Sequence, residues 1–387
     1  MLVPKEKGTN LMRFLHHHVK NPDSMFRIYF FTWLTTLVLY GVILVTMGPA
    51  ALLPLTALVI IEVVFSFDNA VVNAKVLEKM SPMWQKIFMT VGIAVAVIGM
   101  RAVFPVVLVS LTAHLGFGEV IDLALNHPHV YAEHLETAHP QLAAFGGTFL
   151  FMIFLNFILE DKDIVWLRRL ERPLIKVGKL DTVSVIVALF TLLTVASLWG
   201  GDHKEAVLFA GLLGLVVYLL VNAFDSVFEN DEEDESSNGS QLAKNAAKAG
   251  FFSFLYLEML DASFSFDGVV GAFALTDKVL LITAGLGIGA VHVRSLTVHV
   301  IRHQTLTKYR FLEHGAHWAI GALALCVLLS LRFEIPEWVT GSLSVGFITA
   351  AFISSRRHTK KNPPTPEVDE PNDGNHAVPS STPLHVA

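Results

Sequence analysis

Along the chain, apolar residues gather into long unbroken stretches and polar residues into the short segments between them. A helix crosses the hydrocarbon core of a bilayer with about 20 apolar residues. Ten stretches approach that length: 27–47, 51–74, 87–111, 141–159, 182–199, 205–224, 250–273, 278–300, 315–331 and 337–354. They predict an all-α, polytopic membrane helix bundle of about ten transmembrane helices. The first two stretches are parted only by Gly48 and Pro49, and the seventh and eighth only near Thr276 and Asp277. The chain then divides into an N-terminal arm (1–26), a first half of the bundle (27–180), two further spans with an acidic loop (181–249), a second half (250–354) and a tail (355–387). The tail is rich in Pro, Asn and charge, cannot bury a core and is expected to be disordered. The first apolar run is too long for a signal-peptide core, so the N-terminus is expected to stay in the mature chain.

Composition strengthens the membrane reading. Hydrophobic types make up 53% of the 387 residues and charged types only 16%, against about 25% charged in soluble domains; the mean hydropathy is +0.55. A soluble fold is excluded. The net charge of −6 and the lack of a basic tract argue against nucleic acid, and the acidic run Asp231 to Ser237 reads as a solvated loop. The single cysteine, Cys326, lies in an apolar stretch and rules out an internal disulfide framework. Lysine and arginine orient the spans, because they stay on the cytoplasmic side of short loops. With the N-terminus inside, 23 basic residues fall on the inner side and 3 (Lys204, Lys278, Arg332) on the outer. Both termini are therefore expected in the cytoplasm, and the bilayer is expected to be a bacterial cytoplasmic (inner) membrane.

Two basic residues, Arg101 and Arg294, fall inside spans, and they belong to an internal repeat. The second span reads IEVVFSFDNAVV from Ile61 and the seventh reads LDASFSFDGVVG from Leu260. Glu62 aligns with Asp261, Ser66 with Ser265, Phe67 with Phe266 and Asp68 with Asp267, and each copy is followed by an arginine in the next span. Five spans separate the copies, so the topology above makes the repeats inverted. Inverted repeats allow one site at their interface to open to either side, which is the geometry of a transporter. An ionised side chain at the bilayer centre costs about 3 kcal/mol even on lenient scales, so these acids and arginines must be partnered or face water.

At about 100° per residue, Glu62, Ser66, Asn69 and Asn73 form one polar stripe, and Glu258, Asp261, Ser265 and Gly268 form its counterpart. Asp68 and Asp267 lie off their stripes. Either the helix is broken there, with Gly268 and Gly271 easing unusual backbone in the seventh span, or the aspartates reach sideways to Arg101 and Arg294. Carboxylate, hydroxyl and amide oxygens from Glu62, Ser66, Asp68, Asn69, Asp261, Ser265 and Asp267 would jointly hold one partly dehydrated divalent cation, with Arg101 and Arg294 balancing charge when it is absent. Such hard donors suit Mn²⁺, Mg²⁺ or Ca²⁺ and leave the choice among them open.

These residues carry a resemblance. The chain resembles the TerC family of integral membrane proteins, in the branch formerly catalogued as a domain of unknown function, DUF475. That family has an E-x-x-x-S-x-D-N motif in its first half, here Glu62, Ser66, Asp68 and Asn69, and a D-x-x-F-x-x-D-S motif in its second, here Asp261, Phe264 and Asp267 with Gly268 in place of the serine. FGGTFLFMIFL from Phe145 and LEHGAHWAIGALAL from Leu312 are similar in type, so the likeness covers roughly residues 51 to 331. The resemblance implies divalent metal handling, with manganese efflux foremost, a more distant tie to calcium transport and a historical link to tellurium resistance.

Other features have plainer readings. Gly285, Gly287 and Gly289 lie within a span and fit close helix packing. No G-x-x-x-x-G-K-S/T sequence and no H-E-x-x-H occurs among the 17 histidines, so direct ATP drive and zinc catalysis are unsupported and no cofactor is expected beyond the metal as substrate. His292 and His299 flank Arg294 and read as proton relays or hydrogen-bonded packing residues. Between the third and fourth spans, His114, Glu119, Asp122, His127, His129, Glu133, His134, Glu136 and His139 read either as an outer loop gathering metal or as an amphipathic surface loop; His129, Glu133 and Glu136 would share one helical face. Two rival functions are an accessory or stress-response scaffold and an intramembrane enzyme, the latter needing a nucleophile that Ser66 and Ser265 supply only if the fold brings them a base.

Overall fold

The computed structural model describes residues 25–180, 182–230 and 239–361. The N-terminal arm, the acidic run and the tail beyond 361 lie outside the described residues, as do the side chains of Phe266 and Asp267. Every regular element among the described residues is helical. In chain order these are α1 (Met25–Met47), α2 (Leu52–Phe65), α3 (Phe67–Lys79), α4 (Pro82–Ala113), α5 (Phe117–Asn126), α6 (Pro128–Leu159), α7 (Arg168–Gly178), α8 (Val183–Trp199), α9 (Lys204–Asn230), α10 (Gly239–Ala272), α11 (Val279–Arg302), α12 (Leu312–Leu329) and α13 (Glu337–Lys361). Short 3-10 turns and the single turn Thr305–Lys308 connect some of them.

Seven of these helices are long and apolar enough to cross a membrane, and nine crossings result if the bent pairs α2–α3 and α7–α8 each count as one. α10, which carries Glu258, Asp261 and Asp267, is not among the nine. The centre of the bundle is α6, whose Phe149, Leu150 and Met152 are wholly buried against α9, α10 and α12. The periphery has the opposite pattern. Phe190 of α8 and Phe209 of α9 are 71% and 72% exposed, which suits hydrocarbon and would favour aggregation in water.

Two segments differ from expectation. The stretch between the third and fourth crossings is helical, because Pro128 opens α6 and that helix runs 32 residues without interruption, accommodating Pro140. The last helix passes Ser355, where the tail was expected to begin, and continues to Lys361. Ser355 anchors it by donating to the Ala351 carbonyl and accepting from the Phe311 N–H, and Arg356, Arg357 and Lys360 complement the helix C-terminus. α7 lies in the inner segment that the sequence left outside the spans.

Candidate functional site

The break expected in the acidic spans occurs in one copy only. α2 and α3 are bent by 49° about Ser66, whose φ of −98° and ψ of 18° leave the helical region. Past it, the Asp68 carboxylate accepts the Asn69 backbone N–H at 3.0 Å, and its second oxygen accepts the Ser344 hydroxyl of α13 at 3.1 Å. A side chain that captures a backbone donor competes with the helix ladder. α10, by contrast, runs unbroken through Gly268 and Gly271. Glycine permits a bend at a cost of about 1 kcal/mol in helix propensity but supplies no group that compels one. Asp68 therefore does not reach Arg101, contrary to the sideways alternative. Asp267 carries no such account, since its side chain lies outside the described residues.

The arginines instead take the acids of the stripes. Arg101 donates to Glu62, and its other terminal nitrogen stands 3.7 Å from Asp261. Arg294 donates to Glu258 at 3.2 Å and packs over the Phe88 ring at 3.6 Å. One guanidinium thus joins an acid of the first half to an acid of the second. Arg294 also docks on α4, the helix that carries Arg101. This helix contains π-type turns, Phe88–Gly92 and Val95–Val103, which leave carbonyls in unusual positions at functional sites. Arg294 donates to the Phe88 and Gly92 carbonyls at 3.1 and 2.9 Å, and Arg101 donates to that of Ala96. Close approach is allowed by two glycines: a Cβ on Gly289 would overlap the Glu62 side chain, and one on Gly92 would meet the Glu258 and Arg294 termini at 2.7 and 2.8 Å.

Around these pairs lies a group of oxygens without hydrogen bonds. Asn69 donates from Nδ2 to Asp261 at 2.9 Å. Its own Oδ1, the Oδ1 of Asn73, Oε2 of Glu258, Oδ2 of Asp261 and Oγ of Ser265 are buried with no hydrogen bond. Leaving a buried polar atom unpaired costs about 1–3 kcal/mol, so such a concentration is unusual outside functional regions. Beside it is a small cavity of about 60 Å³ lined by Glu62, Phe65, Ser66, Gly268, Thr340 and Ser344. The structure brings together Glu62, Asn69, Asp261 and Arg101, places Ser66 on the cavity wall, and sets Arg294 on a neighbouring pair with Glu258. Among the described residues, no three His, Cys, Asp or Glu side chains stand close enough together to hold a metal ion. Glu62 is held by arginine and Asp68 by Ser344; the remaining donors are largely amide and hydroxyl.

That statement also covers the outer segment. His127 lies between α5 and α6 and His129, Glu133 and Glu136 are exposed on the first turns of α6, with His134 half-buried. Glu119 and Asp122 bond locally, to the Gly116 N–H and to Asn126. His292 bonds the Ile288 carbonyl within its own helix, whereas His299 stacks on His303 at 4.1 Å and leaves Nδ1 unpaired. Sequence reasoning missed Gly92 and Ser344 in the site, and read Gly289 as close helix packing without its partner Glu62. The glycines share spans with the arginines, a usable signal; Ser344 offered none.

A family model described as "Protein of unknown function (DUF475)" matches residues 67–362. No curated protein and no solved structure matches the chain.

Proposed function

The chain belongs to the DUF475 family, and we propose that it is a secondary transporter of divalent metal cations, Mn²⁺ in the first place, whose cargo is held between the two FSFD copies. The observation that carries this reading is the set of buried oxygens without a hydrogen bond on Asn69, Asn73, Glu258, Asp261 and Ser265, contributed by α3 on one side and α10 on the other. They are hard donors, and neither motif contains a thiolate or an imidazole. Such sets suit Mn²⁺, Mg²⁺ and Ca²⁺; the resemblance to TerC proteins favours manganese.

A cation entering from the cavity beside Glu62 and Ser66 meets Asp261 already shared with Arg101. Cation and guanidinium compete for that carboxylate, so loading requires Arg101 to retreat toward Glu62, and release lets it return. The site is thereby charge-balanced in both conditions. Protonation of an acid when the cation leaves would exchange metal for protons. α10 serves as the tenth crossing, both termini are cytoplasmic, and the copies run in opposite directions, so a rocking of one half against the other exposes the site to each side in turn.

The test is Mn²⁺ flux in proteoliposomes. Asp261→Asn keeps the volume and removes the charge, and transport should fall roughly tenfold or more, the equivalent of one lost charged contact. Ser265→Ala should fall less. Parental flux from a properly inserted Asp261→Asn variant would overturn the reading.

A further inference from the structure

α7 divides into three faces. At about 100° per residue, Glu171, Leu174, Ile175 and Gly178 point one way, Leu170 and Val177 a second, and Arg168, Arg169, Arg172 and Lys176 occupy a third sector about 100° wide. The structure bears out each face physically. Glu171 and Ile175 are buried, at 1% and 8% exposure, and Gly178 is pressed against the Leu159 backbone. Leu170 and Val177 are exposed apolar residues. The four basic residues are exposed and, among the described residues, none makes an ion pair. Lys179, just past the helix, is different, since it stands 3.7 Å from Asp161.

We infer that α7 is a docking surface for anionic phospholipid headgroups. A helix with one face on protein, one apolar face open and one unpaired basic face has a single position that satisfies all three: flat at the interface, with Leu170 and Val177 at the acyl boundary and the arginines at phosphate level. As a separate helix of 11 residues it is short enough to lie flat. The guanidinium forks suit phosphate bidentately. The inference is independent of the cargo.

The inner face connects the surface to the bundle. Glu171 accepts the backbone N–H groups of Trp166 and Leu167 at 3.0 and 3.2 Å, the Trp318 indole at 3.0 Å and His314 at 3.2 Å. Trp318 and His314 belong to α12, whose Leu323 lines the cavity beside Glu62. Neighbouring Glu313 is paired with Lys75 of α3 at 3.1 Å. Headgroups bound to α7 thus hold the helix that closes one wall of the site.

The experiment uses full-length, delipidated protein in detergent, titrated with phosphatidylglycerol or phosphatidylcholine, with retained lipid counted by native mass spectrometry. The parent should prefer phosphatidylglycerol. Replacing Arg168, Arg169, Arg172 and Lys176 together by Gln should weaken that binding roughly a hundredfold, while replacing the three arginines by Lys should preserve most of it and show that the surface still folds. Removing two exposed charges elsewhere on the cytoplasmic side, Arg356→Gln with Arg357→Gln, should have little effect. Unchanged phosphatidylglycerol binding in the fourfold variant would overturn the inference. So would an equal loss in the α13 control, or displacement of the lipid by equimolar inorganic phosphate.

Discussion

In the first half of the molecule the FSFD stretch sits on a helix bent by 49° at Ser66; in the second, the same four residues lie inside the unbroken α10. The bent copy presents amide oxygens, Asn69 and Asn73, and has its two acids already engaged, Glu62 by Arg101 and Asp68 by Ser344. The straight copy leaves one oxygen each of Glu258, Asp261 and Ser265 without a hydrogen bond, although Glu258 is ion-paired with Arg294 and Asp261 with Arg101. Repetition in sequence has therefore produced complements and not duplicates. One half offers mainly amide oxygens and the other carboxylate and hydroxyl oxygens, and under the proposed function a divalent cation would draw on both.

The arginines give the strongest way to break that comparison. Arg101 serves a carboxylate from each half, whereas Arg294 serves Glu258 alone, although it gains the Phe88 and Gly92 carbonyls. Removing one partner of a buried pair costs about 3–5 kcal/mol because a charge is left uncompensated. Arg101→Leu strands two acids and should lie at the top of that range in thermal or denaturant unfolding; Arg294→Leu should lie at or below its lower end. Equal losses would mean that the halves are energetically equivalent and that Arg101 does not bridge them.

Much of the architecture was legible, and the reason is length. Apolar runs of about 20 residues have one use in a membrane, so seven to nine of the ten expected crossings have helices long and apolar enough to span, and α11 begins at Val279 against an expected 278. The acids were legible because charge within such runs is costly. Their partners were not. Which of Glu62, Asp68, Glu258 and Asp261 meets which arginine depends on how α3, α4, α10 and α11 cross, and helical periodicity describes only one helix at a time. The bend was legible as a possibility and misplaced, since glycine content pointed to α10 while a local carboxylate-to-backbone bond at Asp68 accompanies the break in the other copy. The π turns of α4 left no trace in the residue pattern.

The glycines sharpen the comparison at a smaller scale. A methyl on Gly289 would strike the stem of Glu62, whose atoms are tied to the backbone of α2; one on Gly92 would strike the tips of Glu258 and Arg294, which can swing. Overpacking a tight contact costs about 1–3 kcal/mol. Gly289→Ala should fall in that range and Gly92→Ala should cost less, about 1 kcal/mol or under. If Gly92→Ala is the more damaging in the same unfolding assay, the second copy is the rigid half and the assignment of roles must be reversed.

Glu171 provides the reference for both copies, because it is a buried acid whose two oxygens are fully used and which has no arginine. Burial works against its charge, but the hydrogen bonds from His314, Trp318 and the Leu167 backbone prevail and hold its carboxyl at about 2, against 4.5 when unperturbed. A carboxyl lowered by folding contributes stability that is fully present above its unfolded value and disappears as pH falls toward its folded value. The contribution should therefore be constant above about pH 4.5 and decline between 4.5 and about 2. Glu171→Gln should cost about 1.5–3 kcal/mol at neutral pH, the scale of hydrogen bonds to a charged group, and the difference between variant and parent should shrink as pH is lowered through that window. Unfolding midpoints followed from pH 7 downward measure this directly. A difference that stays constant to the acid end would show that Glu171 is held by packing alone, and that a buried acid here needs neither an arginine nor a full set of donors to remain in place.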